Sequence, residues 1–298
     1  MKIAKRVFLF MAVNILIVAT MTIVMSVLGI QPYLNAQGLN YQSLMVFCLL
    51  WGFGGAFISL ALSKVMAKWM MGVKIISPDD HSSRHAELVR RVYQLSQKAG
   101  LTVMPEVGIY ESPDINAFAT GPTKNRSLVA VSTGLLERMN HAEVEGVLAH
   151  EVAHIANGDM VTMTLVQGIV NAFVMFLARV AGFFVSQLVD EQKRPMVQFA
   201  VVIGLEIVLG ILGMIVVAGF SRRREFRADQ GGADLAGKPA MIAALEKLKL
   251  NYHPAMAVQD DQPAIASLKI SGKPNKFLQL FSTHPDLDVR IARLKGQI

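Results

Sequence analysis

The stretch LAHEVAHIANGD holds His150 and His154, two imidazoles four residues apart, with Glu151 directly after the first. Residues i and i+4 share one face of a helix. The two rings can therefore converge on one ion at the roughly 2.0–2.1 Å of a zinc–nitrogen bond. Glu151, one position round the helix, can reach a water at an open fourth position and take its proton. This is the H-E-x-x-H pattern of zinc peptidases, although three fixed positions in five also arise by chance. His81 and His85 are likewise four apart, but Ser82 stands where a base would be, and that pair reads as a solvated helix entry. Asn140 with Glu143 three residues on has the form of a capping box, and Gly158 suits a helix stop. The spacing predicts a capped helix that carries both histidines.

A catalytic zinc ion needs a third protein ligand. The candidates by residue type are Asp159, Glu225, Asp229, Asp234, His253 and His284. EFRAD at 225–229 stands out, because Glu225 and Asp229 fall on one helix face. Glu225 could bind the ion while Asp229 accepts a hydrogen bond from the distal nitrogen of a ligand histidine. The same acidic pair could instead make ordinary salt bridges with the arginines at 222–227. Spacing leaves both readings open.

Composition says where such a helix must work. Of 298 residues, 53% are apolar and only 17% charged, against about 25% charged in a soluble domain. With a mean hydropathy of +0.42, much of the chain belongs in lipid. The single cysteine, Cys48, lies inside an apolar run, which excludes an intrachain disulfide and a thiolate zinc cluster. A net charge of +7 could suggest nucleic acid. Yet Lys2, Lys5, Arg6, Lys64, Lys68 and Arg222 to Arg224 cluster beside the apolar runs, which fits membrane topology and speaks against a nucleic-acid partner.

Val7 to Ile30 is uncharged and long enough to span a bilayer, which takes about 20 residues. It exceeds the roughly 7–15 residues of a signal-peptide core and is followed by Gln31-Pro32, so it reads as a retained anchor. Leu44 to Leu62 is a second run, with Gly52, Gly54 and Gly55 suited to close helix packing. The connector Gln31–Ser43 carries no Lys or Arg while the outer flanks do, which puts the N-terminus and everything after Lys64 in the cytoplasm. Residues 75–159 change character. A helical stripe (Leu88, Val92, Leu95, Ala99) precedes β-prone runs at Val107–Tyr110, Ala117–Thr120 and Leu128–Ser132. Met160–Val189 and Val197–Phe220 are two further apolar runs joined by the polar turn DEQKRP. Beyond them, Ala240–Leu250 reads as a helix, 251–276 as a loop and 287–295 as a terminal helix.

Two charges lie within these last runs, Arg179 and Glu206. Counted from Met160 and Phe220 they sit roughly 28 and 21 Å deep at 1.5 Å per residue. Either they meet and hold the hairpin together, or Arg179 snorkels to the outer interface and Glu206 is protonated or wet.

Taken together, HEVAHIANGD, EFRAD, NAFA at 116–119 and STHPDLDVRIARL at 282–294 resemble the HtpX-type bacterial membrane metalloproteases, relatives of the type I CAAX prenyl proteases. The resemblance covers nearly the whole chain. It implies an α+β zincin-like catalytic domain combined with four transmembrane helices, mostly helical in all. The parts would be an N-terminal transmembrane hairpin at 1–63, the first part of the cytoplasmic catalytic domain at 64–159, a second hairpin at 160–220, and the rest of the catalytic domain at 221–298. It also implies one zinc ion per chain on His150, His154 and Glu225, with Glu151 as base and Asp229 steadying a ligand histidine. On spacing alone, Asn116 is a turn residue and His284 a helix cap. The resemblance instead implies that Asn116 opens an edge strand and holds the substrate backbone. It implies that His284 steadies the oxyanion and that Arg290 supports that substrate site. The family often has a second proline after this histidine's first; here Asp286 replaces it.

The function so implied is a zinc endopeptidase of the bacterial cytoplasmic (inner) membrane, with its active site and both termini facing the cytoplasm. Its substrates would be polypeptides, misfolded or damaged membrane proteins cut at cytoplasmic sites under stress. A peptidase trimming lipidated C-termini is an alternative, though its eukaryotic relatives enclose a chamber with more spans. A catalytically silent membrane scaffold is another, against which Glu151 speaks, because a scaffold needs no base between ligands.

Overall fold

The computed structural model describes residues 38–77, 83–251 and 280–297, with scattered residues between 15 and 35. The expected first span, Val7 to Ile30, lies largely outside the described residues, as do His81, His253 and nearly all of the expected 251–276 loop. The described chain is mostly helical with a small mixed sheet. Three of its helices are long and apolar enough to cross a membrane: Tyr41–Met70, Asp159–Ser186 and Glu191–Ala236, the last opening with a 3-10 turn. We label Tyr41–Met70 α1, Asp159–Ser186 α5 and the α-helical Arg194–Ala236 α6. The chain divides into two compact units, one of residues 1–61 and 162–217 and one of residues 62–161 and 218–298.

The first unit is built on close backbone approach. A Cβ on Gly52 of α1 would stand 2.7 Å from Ala172 N and 2.8 Å from Gly168 O of α5, so only glycine fits there. Gly213 of α6 likewise faces Val170 at 2.6 Å, whereas a Cβ on Gly210 would meet nothing within 4 Å among the described residues. Leu44, Cys48 and Ala172 form the buried centre of this unit. Arg179 Nη1 donates to Glu206 Oε1 at 2.6 Å, and its guanidinium lies 5.2 Å over the Phe47 ring. Of the two readings open from sequence, the contact is the one found. A short ladder in the connector pairs β1 (Leu34–Asn35) with β2 (Gly38–Leu39).

The second unit carries the sheet. β3 (Lys74–Ile75), β4 (Glu106–Tyr110), β5 (Ala117–Thr120) and β6 (Leu128–Ser132) take the order β3-β4-β6-β5. β4 and β6 run parallel, and the outer pairs are antiparallel. Every residue of β6 is buried, the continuous apolar reading of a strand covered on both faces. Against the sheet pack α2 (Ser83–Lys98), through Leu88, Val92 and Leu95, and α4 (His141–Asn157), through Val144, Leu148, Val152 and Ile155. Each large side chain fully buried there contributes about 1.5–3 kcal/mol. The short α3 (Thr133–Arg138) links β6 to α4, its N-cap Ser132 accepting from Leu135 N. α7 (Lys238–Asn251) lies on α4 at Gly146, where a Cβ would come within 2.4 Å of Ala240 O. The last helix, α8 (Leu287–Leu294), is capped by the Asp286 carboxylate, which accepts from Asp288 N at 2.8 Å. An aspartate in place of a second proline thus starts the helix by a different device.

α6 does not end with its apolar run. It continues unbroken past Phe220 to Ala236, so the EFRAD turn is the extension of an apolar helix rather than a separate element.

Candidate metal centre

The site is assembled where α4 meets the far end of α6. Asn140 Oδ1 accepts from Glu143 N at 3.0 Å, and Glu143 Oε2 accepts from Asn140 N at 2.8 Å. The capping box fixes the start of α4, and Gly158 at φ 71° ends it in the left-handed conformation. Glycine reaches that conformation without strain. Between these stops His150 and His154 face the same way, both buried, with perpendicular rings 4.6 Å apart. α6 comes close because Gly231 and Gly232 leave room. A Cβ on Gly231 would meet Ala153 Cβ at 2.9 Å, and one on Gly232 would meet His150 N at 3.2 Å.

Glu225, fully buried, then reaches both imidazoles. Its Oε2 lies 3.4 Å from His150 Nε2, its Oε1 lies 3.3 Å from His154 Nε2, and the two Nε2 atoms are 3.1 Å apart. Ligands on a tetrahedral zinc ion at about 2.0–2.1 Å stand about 3.3–3.4 Å from one another. The two imidazoles and the carboxylate therefore have the chemistry of such a site and approach its spacing, each histidine lying nearest a different oxygen of Glu225, and they are the group among the described residues that could hold a metal ion.

The outer nitrogens explain why the inner ones converge. His154 Nδ1 donates to Asp159 Oδ2 at 2.6 Å, which leaves the Nε2 lone pair facing inward. Asp159 is the first residue of α5, brought beneath His154 by the turn at Gly158. His150 Nδ1 lies 3.1 Å from Asp229 Oδ1, close but not aligned as a hydrogen bond. Asp229 is itself gripped by Arg290, whose Nε and Nη2 donate to its two oxygens at 2.8 and 2.6 Å. Arg290 is buried, and its Nη2 is 3.8 Å from Glu225 Oε2. His284 Nδ1 donates to Glu225 Oε2 at 2.9 Å, while much of its ring stays exposed. The segment that delivers His284 is held by Arg222, which donates to the carbonyls of Leu280 and Ser282 at 3.0 and 2.8 Å.

These contacts set the electrostatics. Burial works against charge on His154, yet the carboxylates of Asp159 and Glu225 outweigh it and raise the imidazole to about 9. Burial opposes the charge of His150 in the same way, and Asp229 and Glu225 prevail. Burial would raise Glu225, but His150, His154 and His284 hold it far below the usual carboxylate range. Asp229 is held low against its burial by Arg290 and His150. The pocket thus keeps an anionic carboxylate where no water reaches it and favours positive charge at its centre.

Glu151 follows His150 on α4 and is half-buried, and its charge acts on both imidazoles. Asn116 is exposed and sits just before β5, its N–H donating to Ser132 Oγ and its C=O accepting from Ser132 N. β5 is an edge of the sheet and pairs only with β6 among the described residues. Asp234, the remaining described third-ligand candidate, accepts from Gln230 away from the histidines.

Residues 82–298 match the profile of Peptidase family M48. The chain belongs to that family. A Protease HtpX homolog from Bacillus subtilis (strain 168) is 57% identical, across 99% of this chain and all of its own length. A second, from Methylacidiphilum infernorum, is 50% identical over 98% of each chain. The crystal structure of S. mikatae Ste24p superposes with a TM-score of 0.64 at 17% identity over 98% of this chain, which spans 64% of that larger one. That likeness shows a shared fold. An M48 metalloprotease of the HtpX type, with several membrane-compatible helices and a buried His-His-Glu triad, accounts for the site described above.

Four residues that shape the site, Asp159, Gly231, Gly232 and Arg222, do not stand out for that role in the sequence. By residue type Asp159 reads as a ligand, although a carboxylate just beyond a left-handed glycine is poised to turn back under the preceding helix. Gly231 and Gly232 stood in plain view after EFRAD as a signal of close helix contact. Arg222 reads from the sequence as a membrane flank or a salt-bridge partner of the acidic pair, whereas it holds the carbonyls of Leu280 and Ser282.

Proposed function

We propose that His150, His154 and Glu225 hold one zinc ion and that the chain is an endopeptidase of the cytoplasmic membrane acting on misfolded or damaged membrane proteins. The observation that carries this reading is the approach of the Glu225 carboxylate, from α6, to within 3.3–3.4 Å of two imidazole nitrogens that are 3.1 Å apart on α4, the helix that also bears Glu151. Zinc bound there supplies Lewis acidity, polarising the scissile carbonyl and easing ionisation of water. Glu151 takes the proton of the attacking water and returns it to the leaving amine. His284, its Nδ1 occupied by Glu225, presents Nε2 to the oxyanion that develops on the peptide carbonyl. Asn116 and the open edge of β5 receive an extended peptide by strand addition. Asp229 and Asp159 orient His150 and His154. Arg290, buried on Asp229, acts as a positioning residue behind them.

The Lys and Arg distribution supports an active site on the cytoplasmic side, with the Gln31–Ser43 and Asp190–Pro195 connectors outside. Cysteine-accessibility labelling should find positions 35 and 191 both on the outer face, and labels on opposite faces would refute that topology. For the substrate class, the full chain is reconstituted in vesicles beside a multi-spanning protein with a destabilised cytoplasmic loop. Mass spectrometry of the fragments should place cuts within cytoplasmic loops. Cuts confined to outer loops, or to a lipidated C-terminus, would overturn the assignment.

A further inference from the structure

We propose that the cleft between the basic end of α6 and α8 binds a phosphate-bearing anion. Arg223, Phe226 and Arg227 lie on one face of α6, and Arg290 and Arg293 on α8 close the opposite wall around a cavity of about 390 Å³. That volume is at the lower end of the range of small-ligand pockets. Four guanidinium groups share the cleft with one carboxylate, Asp229, and both oxygens of Asp229 are already taken by Arg290. Arg223 and Arg227 are exposed and have no carboxylate partner among the described residues.

An exposed basic face is ordinarily just solvated, and two features set this one apart. Arg290 is buried, yet its Nη1 makes no hydrogen bond among the described residues and it lines the cavity. Arg293 is steadied with its guanidinium 4.6 Å over the Phe226 ring, so it presents a fixed fork rather than a mobile arm. Fixed guanidinium forks match the oxygens of a phosphate group, and their mutual repulsion falls when an anion lies among them.

The same chemistry is offered by a phospholipid headgroup and by a soluble phosphate compound. Arg223 follows Phe220, the end of the apolar run, by three residues on one continuous helix. That rise of roughly 4.5 Å places it at headgroup depth if the run spans a bilayer.

Full-length protein in neutral detergent is exposed to phosphatidylglycerol with phosphatidylcholine, and native mass spectrometry measures lipid retention. A parallel titration uses inorganic phosphate alone. Wild type should retain phosphatidylglycerol over phosphatidylcholine, or saturate with phosphate. The combined substitutions Arg223→Gln, Arg227→Gln and Arg293→Gln should weaken that binding by about ten-fold or more. A control losing equal charge elsewhere (Arg90→Gln, Arg126→Gln, Arg138→Gln) should bind as wild type. Lipid retained against excess phosphate identifies a headgroup site, and lipid displaced by phosphate identifies a soluble ligand. Equal weakening in both triple variants, or no binding of either probe by wild type, overturns the proposal. Thermal unfolding verifies the fold of each variant. Should the triple variant unfold, Arg227→Gln alone is read the same way, with a smaller loss expected and wild-type affinity counting against the site.

Discussion

His154 donates its Nδ1–H to Asp159 Oδ2 at 2.6 Å, across the turn that ends one helix and begins the next. The bond fixes which nitrogen of His154 faces Glu225 and makes the metal centre depend on a residue beyond the H-E-x-x-H helix. Asp159→Ala should therefore weaken zinc binding by roughly 10–100-fold, the usual cost of losing such a partner. Asp159→Asn, which can still accept through its amide oxygen, should do less harm. Competition with a chelator measures both; wild-type affinity in Asp159→Ala would show that the bond does not matter.

Glu225 is the member of the proposed zinc site that comes from outside the histidine helix, and it is fully buried. Glu225→Ala should lower zinc occupancy and peptide cleavage together. Metal analysis of detergent-purified protein tests this. Full zinc retention would transfer the third position to another group, with Asp159 the nearest carboxylate to His154.

The histidine helix was legible in the sequence because its cues are local: a capping pair three residues apart, an i, i+4 ligand spacing and a glycine stop. Three of the sheet's four strands were legible too, since Pro and Gly breaks separate them, whereas the two-residue β3 at Lys74–Ile75 is too short to show a pattern. Spacing alone could not choose Glu225 over its acidic neighbours. That choice depends on how α6 approaches α4, which is a tertiary fact set by Gly231 and Gly232. Nor could spacing show that Asp159 folds back, or that Arg290 is buried with two of its nitrogens on Asp229.

The glycine contact is itself testable. A Cβ at Gly231 would meet Ala153 Cβ at 2.9 Å, on the turn of α4 between the two histidines. Gly231→Val should push α6 away from α4, costing about 1–3 kcal/mol in overpacking and reducing zinc occupancy. Thermal unfolding and metal content should both fall. Unchanged values would mean that the helices have slack.

Arg179 and Glu206 are joined at 2.6 Å within the apolar hairpin. Arg179→Glu or Glu206→Arg alone leaves like charges facing each other in a region where an unpaired charge costs roughly 2.5–3.5 kcal/mol. Each should lower the unfolding temperature in detergent, and the double exchange should recover part of the loss. Strictly additive damage would mean that the two do not act as a pair.

In the proposed mechanism Glu151 works as a base beside a zinc ion it does not itself hold. Glu151→Gln keeps the size of the side chain and every ligand but cannot accept the proton. Zinc content and peptide cleavage are measured on the same purified sample. The variant should keep about one zinc ion per chain with cleavage reduced by at least roughly 10²-fold. Cleavage equal to wild type at full zinc occupancy would contradict that mechanism.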